Sequence, residues 1–188
     1  MILLNTLSKR FNVGIRGTRP LVMHSTRVMM QEKSGRGDRM TAEQEVELSL
    51  YKDSSGSIVV PSECILACMK AAASDYKVPG KGKKTFKQYT DSGLDIEPTM
   101  PILQSDGYVT DLRPVVVQKS RIIRARPKFE NWSVEFTIVV NDSLWLDSSG
   151  GGRVIREILE SAGKYKGLLE MRPRFGRFEV TKFEESPD

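Results

Sequence analysis

Trp132-Ser133-Val134-Glu135-Phe136-Thr137-Ile138-Val139-Val140 alternates its side chains with a period of two. Trp132, Val134, Phe136, Ile138 and Val140 share one face, and Ser133, Glu135 and Thr137 share the other. That is the pattern of a strand whose apolar side packs on helices while its polar side meets solvent or a ligand. The chain is expected to be organised around it.

Upstream, Val115-Val116-Val117-Gln118-Lys119-Ser120-Arg121-Ile122-Ile123-Arg124 is rich in β-branched residues and reads as a second strand, within 113–126. Downstream, Ser148-Ser149-Gly150-Gly151-Gly152 is a hinge. After it Val154, Ile155, Ile158, Leu159 and Ala162 form a helical stripe ending at Gly163, a suitable residue to follow a helix. A last strand over 174–184 offers Phe178, Val180 and, after a slip of one, Phe183 as inward positions.

In the N-terminal half, Phe11-Asn12-Val13-Gly14-Ile15-Arg16-Gly17 alternates as a first strand. Thr41 caps a short helix with Glu43 and Glu45 in its first turn, and Asp53-Ser54-Ser55-Gly56 is a turn between two extended pieces. Pro61 opens a main helix over 61–77, in which Ile65, Leu66, Met69, Ala72 and Ala73 recur at helical spacing. From Val78 to Arg113 no regular pattern holds, and Pro79-Gly80-Lys81-Gly82-Lys83-Lys84 reads as a flexible basic loop.

The order is strand, helix, strand, strand, helix, strand. This predicts an α+β fold of ferredoxin-like type: a split βαβ antiparallel sheet with two helices on one face. The core elements are expected near 11–17, 61–77, 113–126, 132–141, 152–163 and 174–184, in one domain over 1–188 with long insertions at 18–60 and 78–112. One sheet face is left open for binding.

At 188 residues, 39% hydrophobic and 28% charged, the composition is that of a globular chain with no apolar run long enough for a membrane helix. Met1-Ile2-Leu3-Leu4 lacks the features of a secretory signal, so a cytoplasmic location and no membrane partner are expected. Cys64 and Cys68 sit inside a helical pattern with no His cluster or second cysteine pair, which suits buried thiols and no metal. No cofactor is expected, since phosphate-binding and nucleophile motifs are absent.

The net charge of +5 favours a polyanionic partner, and its placement is informative. Arg113, Lys119, Arg121, Arg124, Arg126 and Lys128 follow one another with no acid between them. In a straight strand Lys119 and Arg121 face away from Arg124 and Arg126, so a bulge or a protruding hairpin is required to gather them. Lys164 and Lys166 lead into Arg172-Pro173-Arg174-Phe175-Gly176-Arg177, where forked donors, an aromatic face and glycines combine as single-stranded nucleic acid requires. Tyr165 and Trp145 offer further stacking faces. Arg16, Arg19 and Arg27 flank the exit from the first strand, and Lys81, Lys83, Lys84 and Lys87 form another basic cluster beside Phe86 and Tyr89. His24 is the only histidine and the one candidate acid or base.

Given the split βαβ order, the long excursions and the segment Gly167 to Gly176, the sequence resembles the RAMP superfamily of CRISPR-associated proteins, in particular subunits that form the repeating backbone of effector complexes. The resemblance spans about half the chain, and the loop before the last strand has fewer glycines than the family pattern. Gly17 to His24 and Arg172 to Val180 also look like stretches of uncharacterised phage and mobile-element proteins. The RAMP resemblance implies binding of single-stranded RNA or DNA through the backbone, self-association along the strand or a multi-subunit assembly, and no catalysis by most backbone subunits. The expected function is thus a non-enzymatic single-strand binder. The alternatives are an RNA-processing endonuclease using His24 and a protein-interaction module.

Overall fold

The computed structural model describes residues 9–28, 30, 40–117, 119–141 and 152–186. Its elements are β1 (Lys9–Gly17), β2 (Leu21–Val22), α1 (Ala42–Ser49), α2 (Ser62–Ala73), α3 (Lys87–Gly93), β3 (Leu94–Glu97), β4 (Leu103–Ser105), β5 (Val109–Val117), β6 (Ser120–Phe129), β7 (Trp132–Val140), α4 (Gly152–Ser161) and β8 (Phe178–Ser186). A π-helical turn, Ala162–Lys166, extends α4.

β7 lies inside an antiparallel sheet of order β3-β7-β1-β8. Its apolar face is buried, and the register sets Val134 against Ile15, Phe136 against Val13 and Ile138 against Phe11. α2 contributes Ile65, Met69 and Ala72, and α4 contributes Ile155, Ile158 and Leu159, to the same apolar cluster. Both helices therefore cover one face. β1, α2, β3, β7, α4 and β8 make the βαββαβ order of a ferredoxin-like α+β fold.

β8 follows the slip anticipated for it. Gly14 pairs with Lys182 and Ile15 with Val180, so Thr181 is the extra residue of a bulge that lets Val180 and Phe183 both point inward. Phe183 stacks on Phe11 with ring centroids 5.0 Å apart.

The expected core strand over 113–126 is corrected. Leu94–Glu97 takes that place beside β7, and Leu103–Ser105 continues it along the same neighbour. Leu94 and Ile96 are buried while Asp95 and Glu97 are exposed, so this short segment has an apolar face to give the core. Residues 113–126 carry Arg113, Arg124 and Arg126 on one face and Arg121 on the other, and Pro114 within them and Pro127 just beyond supply no ladder N–H. They form instead a hairpin, β5 and β6, in a separate sheet of order β2-β6-β5. The 78–112 insertion thus contains α3, β3 and β4, and the 18–60 insertion supplies β2 and α1, which packs on β6.

Two local expectations hold. Thr41 caps α1 in a reciprocal arrangement with Gln44, and Asp53 Oδ1 accepts from the N–H groups of Ser55 and Ser57 in the turn that follows. The expected stop at Gly163 moves to Gly167, which has φ +76°. A Cβ on Gly163 would lie 2.3 Å from the carbonyl oxygen of Phe178, so this glycine serves close packing of α4 on β8.

Candidate nucleic-acid interface

The segment between the π turn and β8 is a pinned loop. Leu168 N–H donates to Gly176 O and Phe175 N–H to Met171 O within it, while Gly176 N–H reaches Pro20 O and Glu170 N–H reaches Val22 O. Gly176 has φ +70°, and a Cβ there would meet Leu168 O at 2.1 Å. Leu169 and Met171 hold φ of +57° and +58°, a left-handed conformation costing side-chain-bearing residues about 1–2 kcal/mol each. The surrounding contacts compensate: Leu168 is fully buried, and the Cys68 thiol of α2 donates to Gly167 O at 3.1 Å. Burial pushes that thiol up to about 12.

Pinning brings three of the sequence's basic segments together. Thr18 and Arg19 N–H both donate to Arg177 O, which ties the exit of β1 to the loop. Arg19 O in turn accepts from Trp132 Nε1 at 2.9 Å. On the loop's other side the Arg113 guanidinium of β5 lies over the Phe175 ring, 4.8 Å from its centroid. Asp111 orients that guanidinium, accepting from Nε at 2.5 Å. Arg172 and Arg174 are exposed, and Arg177 Nε donates to Pro173 O at 2.7 Å.

Arg19, Lys164 and Arg177 line a cleft of about 510 Å³ with Glu160, Phe178 and Glu179. Both acids are engaged elsewhere, Glu160 with Arg156 at 2.8 Å and Glu179 with Arg16 at 2.6 Å. The cleft therefore presents cations whose nearest carboxylates already have partners, next to exposed Tyr165, over whose ring Lys164 sits at 5.2 Å.

The hairpin keeps a regular register with no bulge, so the gathering of all its cations on one side does not occur and its faces stay distinct. Arg113, Arg124, Arg126 and Lys128 share one face; Arg121 shares the other with exposed Val116 and Ile123. Arg124 is held by buried Glu45 of α1 at 3.1 Å, and the other oxygen of that carboxylate accepts from Ala125 N–H at 3.0 Å. Arg126 Nε and His24 Nδ1 are buried without a hydrogen-bond partner among the described residues. Burial first, then the nearby Arg126, holds the His24 pKa below its ordinary value of 6.5, so the imidazole is neutral at pH 7.

Other expected site residues lie apart. The open sheet face does not collect the basic segments: Asp95, Glu97, Glu135, Glu179 and Glu184 outnumber Arg10, Arg16 and Lys182 there. Arg16 is on this face, bound to Glu179 through two nitrogens. Arg27 is exposed beyond the Ser25 turn, and Lys119, with φ +68°, turns the hairpin tip. Lys166 pairs with Asp75 at 3.4 Å. Trp145 lies outside the described residues. Sequence reasoning did not single out Glu45 as the clamp on the hairpin edge; its only signal was an acid one turn into a capped helix.

The architecture and its basic loop define the class, a ferredoxin-like α+β chain, and comparison with known proteins adds a neighbour within it. A type III-B Cmr-beta complex, solved by cryo-EM with cognate target RNA bound, contains a chain that superposes on this one with a TM-score of 0.57. The two share 12% identity, and the match covers 95% of this chain and 60% of that one, so the likeness is one of fold. No family profile matches the sequence, and no curated protein does. No helix among the described residues is long and apolar enough to cross a membrane.

Proposed function

We propose that this chain binds single-stranded RNA, without cleaving it, as a CRISPR-related subunit of a larger assembly. The observation that carries the reading is the Arg113–Phe175 stack at 4.8 Å, set in a pinned loop beside Arg19, Arg172, Arg174 and Arg177. Guanidinium groups satisfy phosphate oxygens in forked geometry, and an aromatic flanked by arginine gives a base a stacking face worth about 1–3 kcal/mol. The RNA-bound complex of similar fold supports RNA as the partner and assembly as the context. Arg113 stands on a strand and Arg19, Arg172, Arg174 and Arg177 in loops, none of them on a helix, so binding tolerates sequence and weakens steeply with salt.

Fluorescence anisotropy with labelled RNA tests this. Binding at low salt that falls at least tenfold in Arg174→Ala/Arg177→Ala supports it; no binding by the wild-type chain overturns it. Denaturing gels of the same mixtures test the non-catalytic part. RNA cleavage lost in His24→Ala would favour the endonuclease reading, for which the observation is His24 lying beside Arg126 and Arg124.

A further inference from the structure

Lys81, Lys83, Lys84 and Lys87 belong to neither sheet, and the segment carrying them is a built turn. Lys77 pairs with Thr85 in an antiparallel bridge, Val78 N–H donates to Lys84 O at 2.9 Å, and Phe86 N–H donates to Tyr76 O at 2.9 Å. Val78 and Phe86, each 2% exposed, anchor its two ends in the core. Gly80 and Gly82 reverse the chain with φ of +71° and +64°. Lys81, Lys83 and Lys84 stand exposed on this frame and Lys87 opens α3 just beyond it, and among the described residues none of the four makes an ion pair. The acid in the adjoining cleft, Asp91, is held by Lys70 at 2.7 Å. The cleft is about 460 Å³, with Tyr89 along its wall.

Like charges gathered on an ordered turn repel one another unless an anion sits among them. Two observations indicate which anion. Lysine is depleted at the centres of protein–protein interfaces, whereas it is a point-charge partner of phosphate, with no fork to read a base. The position also fits: Lys166 reaches Asp75, two residues before Lys77, so the π turn preceding the arginine loop touches the chain leading into the lysine turn.

We infer that the lysine turn is a second, sequence-blind site for a phosphate backbone, holding the flank of the RNA strand whose neighbouring part lies on the arginine loop. The inference rests on the RNA-binding reading above.

Anisotropy titrations at several salt concentrations test it, using RNA of about 8 and about 30 nucleotides, lengths that fill one site or overrun it. The proteins are wild type, Arg174→Ala/Arg177→Ala and Lys83→Gln/Lys84→Gln/Lys87→Gln, with thermal melts confirming that each is folded. The lysine variant should bind the short RNA as wild type does and the long RNA about tenfold more weakly, with the slope of log K against log salt reduced by about 2. An unchanged long-RNA affinity and slope overturns the lysine site and leaves the arginine site standing. Loss of short-RNA binding in the lysine variant also overturns it, since the two would then be one site. Failure of wild type to bind either RNA defeats the underlying reading instead. Poly-glutamate of matched charge displacing the long RNA as well as unlabelled RNA does would make the partner an acidic protein.

Discussion

The open face of the four-stranded path and the arginine loop handle charge in different ways. On the open face of the four-stranded path, the cations have carboxylate partners: Arg10 with Glu97, Arg16 with Glu179 and Lys182 with Glu184. In the three-stranded sheet and the loop beside it, a cation lies over an aromatic ring, arginines stand exposed, and Arg126 buries an unpartnered Nε. The open face pairs its cations throughout; in the three-stranded sheet Arg113, Arg124 and Lys128 also have carboxylate partners, and it is Arg172 and Arg174 of the loop that stand exposed without one among the described residues. Exposed positive charge alone is thus a weaker guide to a binding site than exposed charge without internal partners.

The sharpest challenge to this contrast is Gly176→Ala. A Cβ 2.1 Å from Leu168 O at φ +70° cannot be accommodated without opening the loop, so stability should fall by about 3 kcal/mol or more, with RNA binding lost as well. A urea melt read with anisotropy checks both.

Glu45→Ala should cost about 3 kcal/mol, because it strands Arg124 and the Ala125 N–H in a largely buried place. Amide exchange should show the loss concentrated in β5 and β6, leaving β1 and β7 protected. Uniform exchange across both sheets would mean that they unfold as one unit.

His24 gives a smaller, pH-dependent effect. Its folded pKa is depressed, so the unfolded state takes up the proton first; the native state keeps its full stability above about pH 6.5 and loses it as pH falls through the folded value. His24→Gln should flatten the pH dependence of the melting temperature as pH falls below about 6.5. RNA phosphate beside Arg126 would oppose the depression, so bound RNA should shift the loss to lower stability cost at the same pH.

The smallest effect belongs to Arg16→Ala. Its ion pair is exposed, 65% and 49% at the two side chains, so stability should change by less than about 1 kcal/mol and RNA affinity by less than about twofold. A large loss of affinity would place RNA on the open sheet face and dissolve the contrast.

The strands with clean alternation, β1 and β7, and the helical stripes of α2 and α4 were legible because burial of one face imposes a period. β3 was not: four residues followed by Pro98 and Pro101 give too short a window for a period to show, and its identity depends on having β7 to pair with. The hairpin was misplaced for the converse reason. Its β-branched residues mark a strand, but Ile123 at 71% exposure shows that β-branching here does not report burial. Within the site, the grouping of arginines in Arg172 to Arg177 was visible as composition. The Arg113 stack and the pairing of Arg16 were not, since both join residues far apart in sequence.

The Cys68 thiol has a practical consequence. Because it is shut inside the molecule with its S–H donating to Gly167 O, an alkylating reagent should reach it only when the arginine loop lifts from α2. In a Cys64→Ser background the labelling rate then becomes an internal clock for that lifting, running without any added probe. A strand of RNA clasped by the loop would slow the clock, and the ratio of rates with and without RNA would time the clasp itself.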